Sequence, residues 1–418
     1  MSEPRVRVAI LGGGFAGLYA ASYLSAADYE GTIDVTLVSE KNHFTFTPLL
    51  AEVVAGNLGQ EHVTFPYRVL ARRRGFRFLL GRVEGLDPAR NVAHTTSGPV
   101  HFDYAVLALG ARPRYFGREE LRRTSLPLTS VREAVAIRNR VLAQAERAVA
   151  ERNPVARRRM LTFVTAGAGP AGIEAGSEIW HLLTGVLPRY YDLAEAPRVV
   201  IVDAGDRILR GWDDDLAAAG LEELRRRGII VRLHSKVEGF DGRTVEVAGP
   251  EGGHGVEAES LVWTAGTAPA TDGFDDSPIP RERSGHLRVD SALCLAGMEH
   301  VFAVGDAARL ISPRTGEPYP PVAPIAISQG VRAAANIQNR IAGRPVEPYQ
   351  AHHAGKIISL GNGVAFVDLL GFRIRSTPAW VLYRATYLLK LVGLRNKVRT
   401  GVTLALNRIF ERDLSLVE

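Results

Sequence analysis

Short apolar runs alternate with amphipathic stretches through about residue 310 of the chain. The runs at residues 6–11, 33–38, 161–165 and 198–202 have the length of buried strands, and helix-like stretches follow the first and third of them. Strands that alternate with helices predict an α/β fold with parallel sheets.

Glycine-rich turns directly follow two of these strands. The first turn contains Gly12, Gly14 and Gly17, and the second contains Gly167, Gly169 and Gly172. In a dinucleotide-binding turn, the first glycine permits a tight bend, the second lets the backbone approach a pyrophosphate, and the third lets helix and strand pack closely. The helix N-terminus then offers N–H groups to the phosphates. Two such turns predict two bound nucleotides with electron transfer between them, although either turn alone could be a bend without a ligand.

A carboxylate stands at the end of the strand that follows each glycine turn. Glu40 comes just after the strand at 33–38, and Asp203 comes just after the strand at 198–202. An acidic side chain at this place binds the diol of a ribose and repels a 2′-phosphate. Both residues are therefore candidate ribose ligands, and Arg207 close to Asp203 could weaken the discrimination against a 2′-phosphate.

The two halves of the predicted α/β region repeat each other. The strand at 102–109 runs into Gly110, and the strand at 261–263 runs into a turn that ends at Gly266. A helix predicted from residue 131 to about 151 connects the two nucleotide units.

A further apolar strand, at residues 300–304, ends in Gly305 and Asp306. A rigid proline-rich loop then leads to a helix predicted from Ile325 to Ala342, and the N-terminus of this helix can stabilise negative charge on a bound group. The predicted organisation is one nucleotide domain formed by residues 1–112 and 269–345, a second formed by residues 113–268, and a C-terminal region formed by residues 346–418.

The composition of the 418-residue chain is that of a globular protein, with 46% hydrophobic and 23% charged residues. Cys294 is the single cysteine, so no disulfide can form within the chain and no CxxC redox pair exists. Its apolar neighbours predict a buried thiol. The uncharged stretch at 8–27 is similar to a secretory signal, but Gly12 and the glycines beside it divide it into strand and helix. We therefore expect no targeting peptide.

The net charge of +6 is concentrated towards the C-terminus. From residue 375 to residue 410 every charged side chain is basic: Arg375, Arg384, Lys390, Arg395, Lys397, Arg399 and Arg408. No helix-turn-helix or RNA-binding signature accompanies them, so we expect no nucleic-acid partner.

Apolar and aromatic residues recur at helical spacing in the same C-terminal region. They are Trp380, Tyr383, Tyr387 and Leu391, followed by Val398, Val402 and Leu406. An apolar face beside a basic face predicts helices that lie in the interface of an anionic membrane without spanning it. A core-packing helix pair or a homodimer interface is the alternative.

The chain resembles the type II, non-proton-pumping NADH:quinone oxidoreductases, which are flavoproteins with two dinucleotide-binding domains. The glycine turns indicate only the wider superfamily. The narrower resemblance rests on Asn42-His43-Phe44-Thr45-Phe46-Thr47-Pro48-Leu49-Leu50, on Gly169-Pro170-Ala171-Gly172-Ile173-Glu174, on Val301-Phe302-Ala303-Val304-Gly305-Asp306, and on the tail from Trp380 to Leu414.

This resemblance implies two Rossmann-like domains and a C-terminal amphipathic helical region that associates with a membrane. It assigns FAD to the first glycine turn, with Glu40 on the adenosine ribose and Asp306 on the ribityl–phosphate part. It assigns NADH to the second turn, with Asp203 on its ribose. The implied cofactor-binding residues are Gly12, Gly14, Phe15, Ala16, Gly17, Glu40, Pro48, Gly110, Gly305, Asp306 and Ala323, and Gly167, Gly169, Gly172, Asp203 and Gly266.

Glu174 is the implied catalytic residue, because the matching glutamate of the family is associated with proton transfer on the quinone side. A first-turn glutamate that complements the helix dipole is the alternative interpretation. The implied quinone-side residues are Pro324, Ile325, Ser328 and Gln329. Here the chain departs from the family, which commonly has glutamines at the positions of Pro324 and Ser328.

The predicted function is oxidation of NADH with two-electron reduction of a membrane quinone, by a peripheral enzyme on the cytoplasmic side of the cell membrane. A soluble flavoprotein reductase of a ferredoxin or rubredoxin partner is one alternative, and a non-enzymatic nucleotide sensor is another. Disulfide reductases and sulfide:quinone oxidoreductases need redox cysteines that this chain lacks.

Overall fold

The computed structural model describes residues 5–28, 31–274, 277–351, 355–361, 363–369, 372–407 and 409–416. The chain forms two compact units. Unit 1 comprises Met1–Thr45, Phe65–Arg112 and Thr267–His353, and unit 2 comprises Phe46–Thr64, Pro113–Gly266 and Ala354–Glu418. The segment at 46–64, expected in the first nucleotide domain, thus belongs to the unit that contains the second glycine turn.

The strands are, in chain order, β1 (Val6–Leu11), β2 (Ile33–Ser39), β3 (His43–Thr45), β4 (Thr64–Pro66), β5 (Arg77–Leu80), β6 (Val83–Asp87), β7 (Val92–Thr95), β8 (Val100–His101), β9 (Tyr104–Leu107), β10 (Ala111–Pro113), β11 (Leu126–Pro127), β12 (Thr162–Ala166), β13 (Arg198–Val202), β14 (Ile230–Arg232), β15 (Lys236–Phe240), β16 (Thr244–Gly249), β17 (Gly252–Glu257), β18 (Ser260–Trp263), β19 (Thr267–Pro269), β20 (Leu287–Arg288), β21 (Val301–Ala303), β22 (Ala308–Arg309), β23 (Lys356–Ser359), β24 (Ala365–Leu369) and β25 (Phe372–Arg375).

The α-helices are α1 (Phe15–Ala26), α2 (Leu50–Val54), α3 (Gln60–Val63), α4 (Tyr67–Arg74), α5 (Glu119–Thr124), α6 (Val131–Ala150), α7 (Pro154–Met160), α8 (Pro170–His181), α9 (Asp214–Arg226), α10 (Ala323–Ile341), α11 (Ser376–Lys390) and α12 (Leu394–Leu406). A π-helical turn, Leu182–Val186, continues α8, and 3₁₀ turns occur at Thr47–Leu49, Leu187–Arg189 and Gly305–Ala307.

Unit 1 is built on a five-stranded sheet in the order β21-β9-β1-β2-β5, in which every pairing is parallel. Ile10 at the centre of this sheet pairs in register with Leu37 on one side and Val106 on the other. All three side chains are fully buried. The sheet confirms the predicted α/β fold, and it places the first glycine turn at the carboxyl end of the central strand, where such sheets bind ligands.

Unit 2 repeats this arrangement with the order β11-β18-β12-β13-β14, again entirely parallel. Val164 in the central strand pairs with Val200 and Leu261, and this register places the second glycine turn at the equivalent edge. Each unit also contains a three-stranded antiparallel sheet, β6-β7-β8 in unit 1 and β15-β16-β17 in unit 2.

Helix α10 begins at Ala323, two residues earlier than the sequence predicted. Pro324 stands in its first turn, where the lack of an N–H costs nothing and the fixed φ favours the helix. The middle of α10 packs closely against α1. The contact is so close that a Cβ atom at Gly330 would collide with the backbone carbonyl of Ala16. Cys294 is buried as predicted, and burial raises the pKa of its thiol.

The C-terminal region of unit 2 forms a three-stranded sheet, β23-β24-β25, followed by α11 and α12. The aromatic side of α11, expected to face a membrane, instead packs on this sheet. Tyr383 is buried against Ala365 and Val367, and Trp380 and Tyr387 border the same cluster. Among the described residues, none of the helices is long and apolar enough to cross a bilayer.

Candidate functional site

The first glycine turn has the shape of a dinucleotide cradle. Gly12 has a φ of +119°, and a side chain there would collide with the carbonyl of Ala108. A Cβ atom at Gly17 would collide with the carbonyl of Gly12, whereas a Cβ atom at Gly14 would meet nothing within 4 Å. The turn therefore needs its first and third glycines for its own geometry and leaves the second open towards a ligand, as a pyrophosphate requires.

The second glycine turn follows the same pattern. Gly167 has a φ of +106°, and its Cβ atom would lie 2.6 Å from the carbonyl oxygen of Thr264. A Cβ atom at Gly172 would collide with the carbonyl of Gly167, and the position at Gly169 is open. Neither α1 nor α8, which begin directly after the two turns, has a side-chain cap among the described residues. Both helix N-termini can thus donate to phosphate oxygens.

Other predicted residues of the FAD set lie around the first turn in unit 1. Glu40 is exposed one residue beyond β2, and no described residue hydrogen-bonds to its side chain. Phe15 and Ala16 begin α1, and the Phe15 ring meets Phe44 edge-on at 5.0 Å. Gly110 has a φ of +73° and open space beside it.

Tyr67 supports the first glycine turn and was not identified from the sequence. Its hydroxyl donates a hydrogen bond to the carbonyl of Gly13, and its ring stacks on Phe78 at 5.0 Å. Burial raises the pKa of this phenol, so it remains a donor. Nothing in the sequence singles it out, because the contact joins the glycine turn to a helix more than fifty residues further along the chain.

Asp306 lies in the 3₁₀ turn that follows β21, directly after Gly305, whose φ is +69°. Burial raises the pKa of Asp306, and no described residue hydrogen-bonds to its carboxylate. The backbone N–H of Gly305 donates to Oε1 of Gln329 at 2.7 Å. The side chain of Gln329, which was predicted on the quinone side, therefore stabilises the turn that carries Asp306.

The other predicted quinone-side residues occupy the first turns of α10. Pro324 is exposed, Ile325 is buried and Ser328 is half-buried. The Ser328 hydroxyl lies 3.0 Å from the carbonyl oxygen of Pro324 and 2.7 Å from the hydroxyl of Tyr349. Two residues of the predicted FAD set lie in different units. Ala323, the first residue of α10, lies in unit 1, and Pro48 lies in unit 2.

A cavity of about 300 Å³ opens beside the second glycine turn, entirely within unit 2. Gly167, Asp203 and Gly266 line it. The carboxylate of Asp203 accepts hydrogen bonds from the backbone N–H groups of Ala168 at 2.6 Å and Gly205 at 2.7 Å. Asp203 therefore braces the glycine turn and places its negative charge at the cavity wall.

The basic side chains at this cavity differ from the one that the sequence suggested. Arg207 is bonded to Asp214 and to the carbonyl of Trp212, and it does not line the cavity. Arg118, Arg210 and Lys236 do line it. Arg118 and Arg210 lie in loops and Lys236 begins β15, and nothing in the sequence indicated that these segments meet.

Unit 2 also contains a buried carboxylate cluster, which we define as Glu52, Glu174 and Glu178. Glu174, on α8, is half-buried, and its Oε1 accepts a hydrogen bond from the backbone N–H of Ser359 at 3.1 Å. Burial, reinforced by the charge of Glu52, raises the pKa of Glu174 to about 8. Glu174 therefore holds a proton near neutral pH that a reacting group could take.

Two arginines from the C-terminal region reach the buried carboxylate cluster. Arg384 lies 3.2 Å from Oε2 of Glu52, which also accepts from the side chain of Asn57 at 2.7 Å. Arg412 lies 3.1 Å from Nε2 of His181, and its charge acts on Glu52 and Glu178. Glu52, Arg384 and Arg412 were not predicted as site residues, and Arg408 of the basic tail lies outside the described residues.

Comparison with known proteins places this geometry among flavoprotein oxidoreductases. The family model described as pyridine nucleotide-disulphide oxidoreductase matches residues 6–330. The chain is 30% identical over 414 residues to the type II NADH:quinone oxidoreductase Ndh of Mycobacterium tuberculosis, covering 95% of this chain and 86% of that protein. It is 26% identical over 453 residues to the internal alternative NAD(P)H-ubiquinone oxidoreductase A1, mitochondrial, of Arabidopsis thaliana, covering 98% and 86%.

The fold is shared with a more distant solved structure. NDH2 from Plasmodium falciparum, in complex with NADH, superposes with a TM-score of 0.90 at 17% identity, over 98% of this chain and 100% of that chain. At this identity the likeness concerns the fold alone.

Proposed function

The chain belongs to the pyridine nucleotide-disulphide oxidoreductase family, and from this membership we propose that it is an FAD-dependent NADH:quinone oxidoreductase. The observation that carries the binding of two nucleotides is the pair of glycine turns with matching geometry, one in each unit. The choice of a quinone as the electron acceptor rests on the similarity over nearly the whole chain. The type II NADH:quinone oxidoreductase of M. tuberculosis, similar over nearly the whole chain, supports the same function.

FAD is proposed to bind unit 1, through residues of the segments 1–112 and 269–345. The open position at Gly14 fits a pyrophosphate, and the exposed Glu40 fits a ribose diol. Asp306 presents a carboxylate without a partner among the described residues, which fits a hydroxyl-bearing group. FAD, when bound, supplies the chemistry that accepts a hydride from NADH and passes two electrons to a quinone.

NADH is proposed to bind unit 2, at the cavity beside Gly167. The open position at Gly169 fits the NADH pyrophosphate, and Asp203 fits the adenosine ribose. The negative charge of Asp203 favours NADH over NADPH, while Arg210 and Lys236 at the same wall reduce that preference. Glu174 is proposed to hold a proton at its side-chain oxygens for the reduction of the quinone.

The C-terminal region, residues 346–418, is proposed to bind the surface of an anionic membrane. Large apolar side chains are exposed along and just beyond α11 and α12: Val381, Leu389, Leu394, Val398, Val402, Leu406, Ile409 and Phe410. Lys390, Arg395, Lys397 and Arg399 lie among them in the sequence. Apolar area combined with basic charge is what an interfacial helix needs, and a peripheral site on the cytoplasmic side of the cell membrane would suit a lipid-soluble quinone.

A steady-state assay tests the proposed reaction. The FAD-loaded protein should oxidise NADH only when a short-chain quinone is added, and one quinol should form for each NADH consumed. Rubredoxin or ferredoxin in place of the quinone should give no oxidation above background. Rapid reduction of those proteins with no reduction of quinone would replace the proposal by a soluble reductase, and NADH binding without turnover would indicate a sensor.

A further inference from the structure

Glu178 carries a buried carboxyl group that has no role in the reaction proposed above. Its residue is 4% exposed, and its Oε2 has no hydrogen-bond partner among the described residues. Burying a carboxylate without partners is costly, whereas a protonated carboxylic acid avoids most of that cost. Burial, followed by the charge of Glu52, raises the pKa of Glu178 to about 8.

Charged and titratable groups reach Glu178 from several elements: Glu52 on α2, Glu174 on α8, Tyr383 and Arg384 on α11, and Arg412 in the C-terminal segment. The two glutamates raise the pKa of Glu178, and the two arginines lower it. The arginines therefore stabilise the carboxylate that forms when Glu178 releases its proton, so release and recovery are both accessible near neutral pH.

Glu174 and Glu178 are neighbours on one face of α8. They stand four residues apart, a spacing that brings Cβ atoms to about 5–6 Å of each other in a helix. Glu178 is buried, whereas Glu174 is only half-buried. A proton can thus pass along this face of α8 from the enclosed carboxyl group to the more accessible one.

A surface pocket lies beside Arg412, whose charge acts on Glu178. It has a volume of about 520 Å³, and Glu146, Asp192, Glu411 and Arg412 are among the residues that line it. Arg412 also donates to the carbonyl of Ala55 at 3.2 Å, and its charge acts on Glu178. One side chain therefore borders both the pocket and the buried carboxylate cluster.

His181 completes this boundary. Burial, followed by the charge of Arg412, lowers the pKa of His181 to about 4, so the imidazole is neutral at pH 7 and its Nε2 can accept from Arg412. Because His181 is neutral, it adds no positive charge beside Glu178 to that of Arg412.

We propose that Glu178 is a proton reservoir for quinone reduction, which passes its proton to Glu174 along α8 and is refilled from the surface pocket past Arg412. This inference rests on the proposed function. NADH contributes two electrons and one hydrogen nucleus as a hydride, and a quinone needs two electrons and two protons to become a quinol. One proton per turnover must therefore come from water. Glu178 gives up its O–H proton, becomes a carboxylate near the arginines, and regains a proton from water in the pocket.

Infrared spectroscopy of the full FAD-loaded chain tests the reservoir without turnover. The carboxylic acid C=O band of the wild type should disappear on titration through about pH 8. Glu178→Gln should lose about half of this titrating band, because Glu174, whose pKa is also raised to about 8, contributes the rest. Glu222→Gln, which changes an exposed glutamate on α9, should keep all of it. A wild-type protein without such a band, or a Glu178→Gln variant that retains it in full, would overturn the proposal.

Kinetics with two electron acceptors supply the second readout. Ferricyanide takes electrons without protons, so its reduction by NADH should be the same in Glu178→Gln and Glu222→Gln. Quinone reduction should fall roughly tenfold or more in Glu178→Gln alone, most steeply at alkaline pH. Equal quinone rates in the two variants would refute the reservoir. A wild type that reduces ferricyanide but no quinone would refute the proposed function instead.

Arg412→Gln provides an independent variant if Glu178→Gln fails to fold. Removing this positive charge should raise the pKa of Glu178, so the fall of the quinone rate with rising pH should shift to higher pH while the ferricyanide rate stays unchanged. A quinone rate that matches the wild type at every pH would count against the proposed route.

Discussion

The side-chain oxygen of Gln329 accepts a hydrogen bond from the backbone N–H of Gly305 at 2.7 Å. Gln329 is 3% exposed, so the bond is shielded from water. It ties helix α10 to the 3₁₀ turn that carries Asp306. Gln329 thereby sets the position of Asp306, the proposed FAD ligand. Its side chain makes no other hydrogen bond among the described residues.

Gln329→Leu should weaken FAD binding by roughly tenfold, because the turn that carries Asp306 loses the acceptor for the half-buried N–H of Gly305, a loss of about 1–3 kcal/mol. FAD released on dilution, followed by its fluorescence, measures the effect. Gln338→Leu, on the same helix and without a side-chain hydrogen bond to any described residue, is the matched control and should hold FAD as the wild type does. Equal FAD retention in the two variants would show that the turn does not depend on Gln329.

Arg384→Met should destabilise the protein by about 3 kcal/mol, because it leaves Glu52 buried without its cation. Glu52 is 3% exposed, and Arg384 also lies over the Trp380 ring at 4.1 Å. Urea unfolding measures the change. Glu52→Gln combined with Arg384→Met should recover part of the loss.

Arg399→Met is the control for this ion pair. Arg399 and Glu61 lie 2.9 Å apart but are both nearly half exposed, so their pair should contribute less than about 1 kcal/mol. A cost for Arg399→Met as large as that for Arg384→Met would contradict the assignment of the stabilisation to burial.

Glu178 should make the stability of the protein depend on pH. Its pKa is raised from 4.5 to about 8 in the folded state. The folded chain therefore binds this proton more tightly, and the resulting stabilisation is complete below about pH 4 and is lost as the pH rises through about 8. Between about pH 5 and pH 9, the free energy of unfolding of the wild type should fall by a few kcal/mol more than that of Glu178→Gln. If the free energy of unfolding changes equally with pH in the wild type and in Glu178→Gln, Glu178 is charged in the folded protein.

Leu389→Asp together with Leu394→Asp should abolish most binding to anionic vesicles. These side chains are 70% and 75% exposed on α11 and α12, so the change should not disturb the folded core. Co-sedimentation measures binding, and high salt should weaken it in the wild type. Val155→Asp alters an exposed apolar residue of α7 and should bind as the wild type does. If the double variant still sediments but no longer forms a dimer, the surface is a homodimer interface.

The strand and helix pattern was predictable because the long parallel strands are short apolar runs and a glycine turn follows the central strand of each sheet. The carboxylate cluster was not, because Glu52, Glu178 and Arg412 are brought together from distant parts of the chain. Helical spacing in the tail was recognised correctly, but spacing alone cannot distinguish a core face from a membrane face. The buried Tyr383 and the exposed Val398 belong to the same helically spaced apolar series in the sequence.

An anaerobic titration tests the central claim most directly. NADH added to the FAD-loaded protein should bleach the visible flavin absorbance, and one equivalent of quinone should restore it. Gly172→Ala should bleach poorly, because the new Cβ would collide with the carbonyl of Gly167, while Gly253→Ala, at an open position of β17, should behave as the wild type. Flavin that NADH does not bleach, or that stays bleached after quinone is added, would contradict the proposed NADH:quinone oxidoreductase.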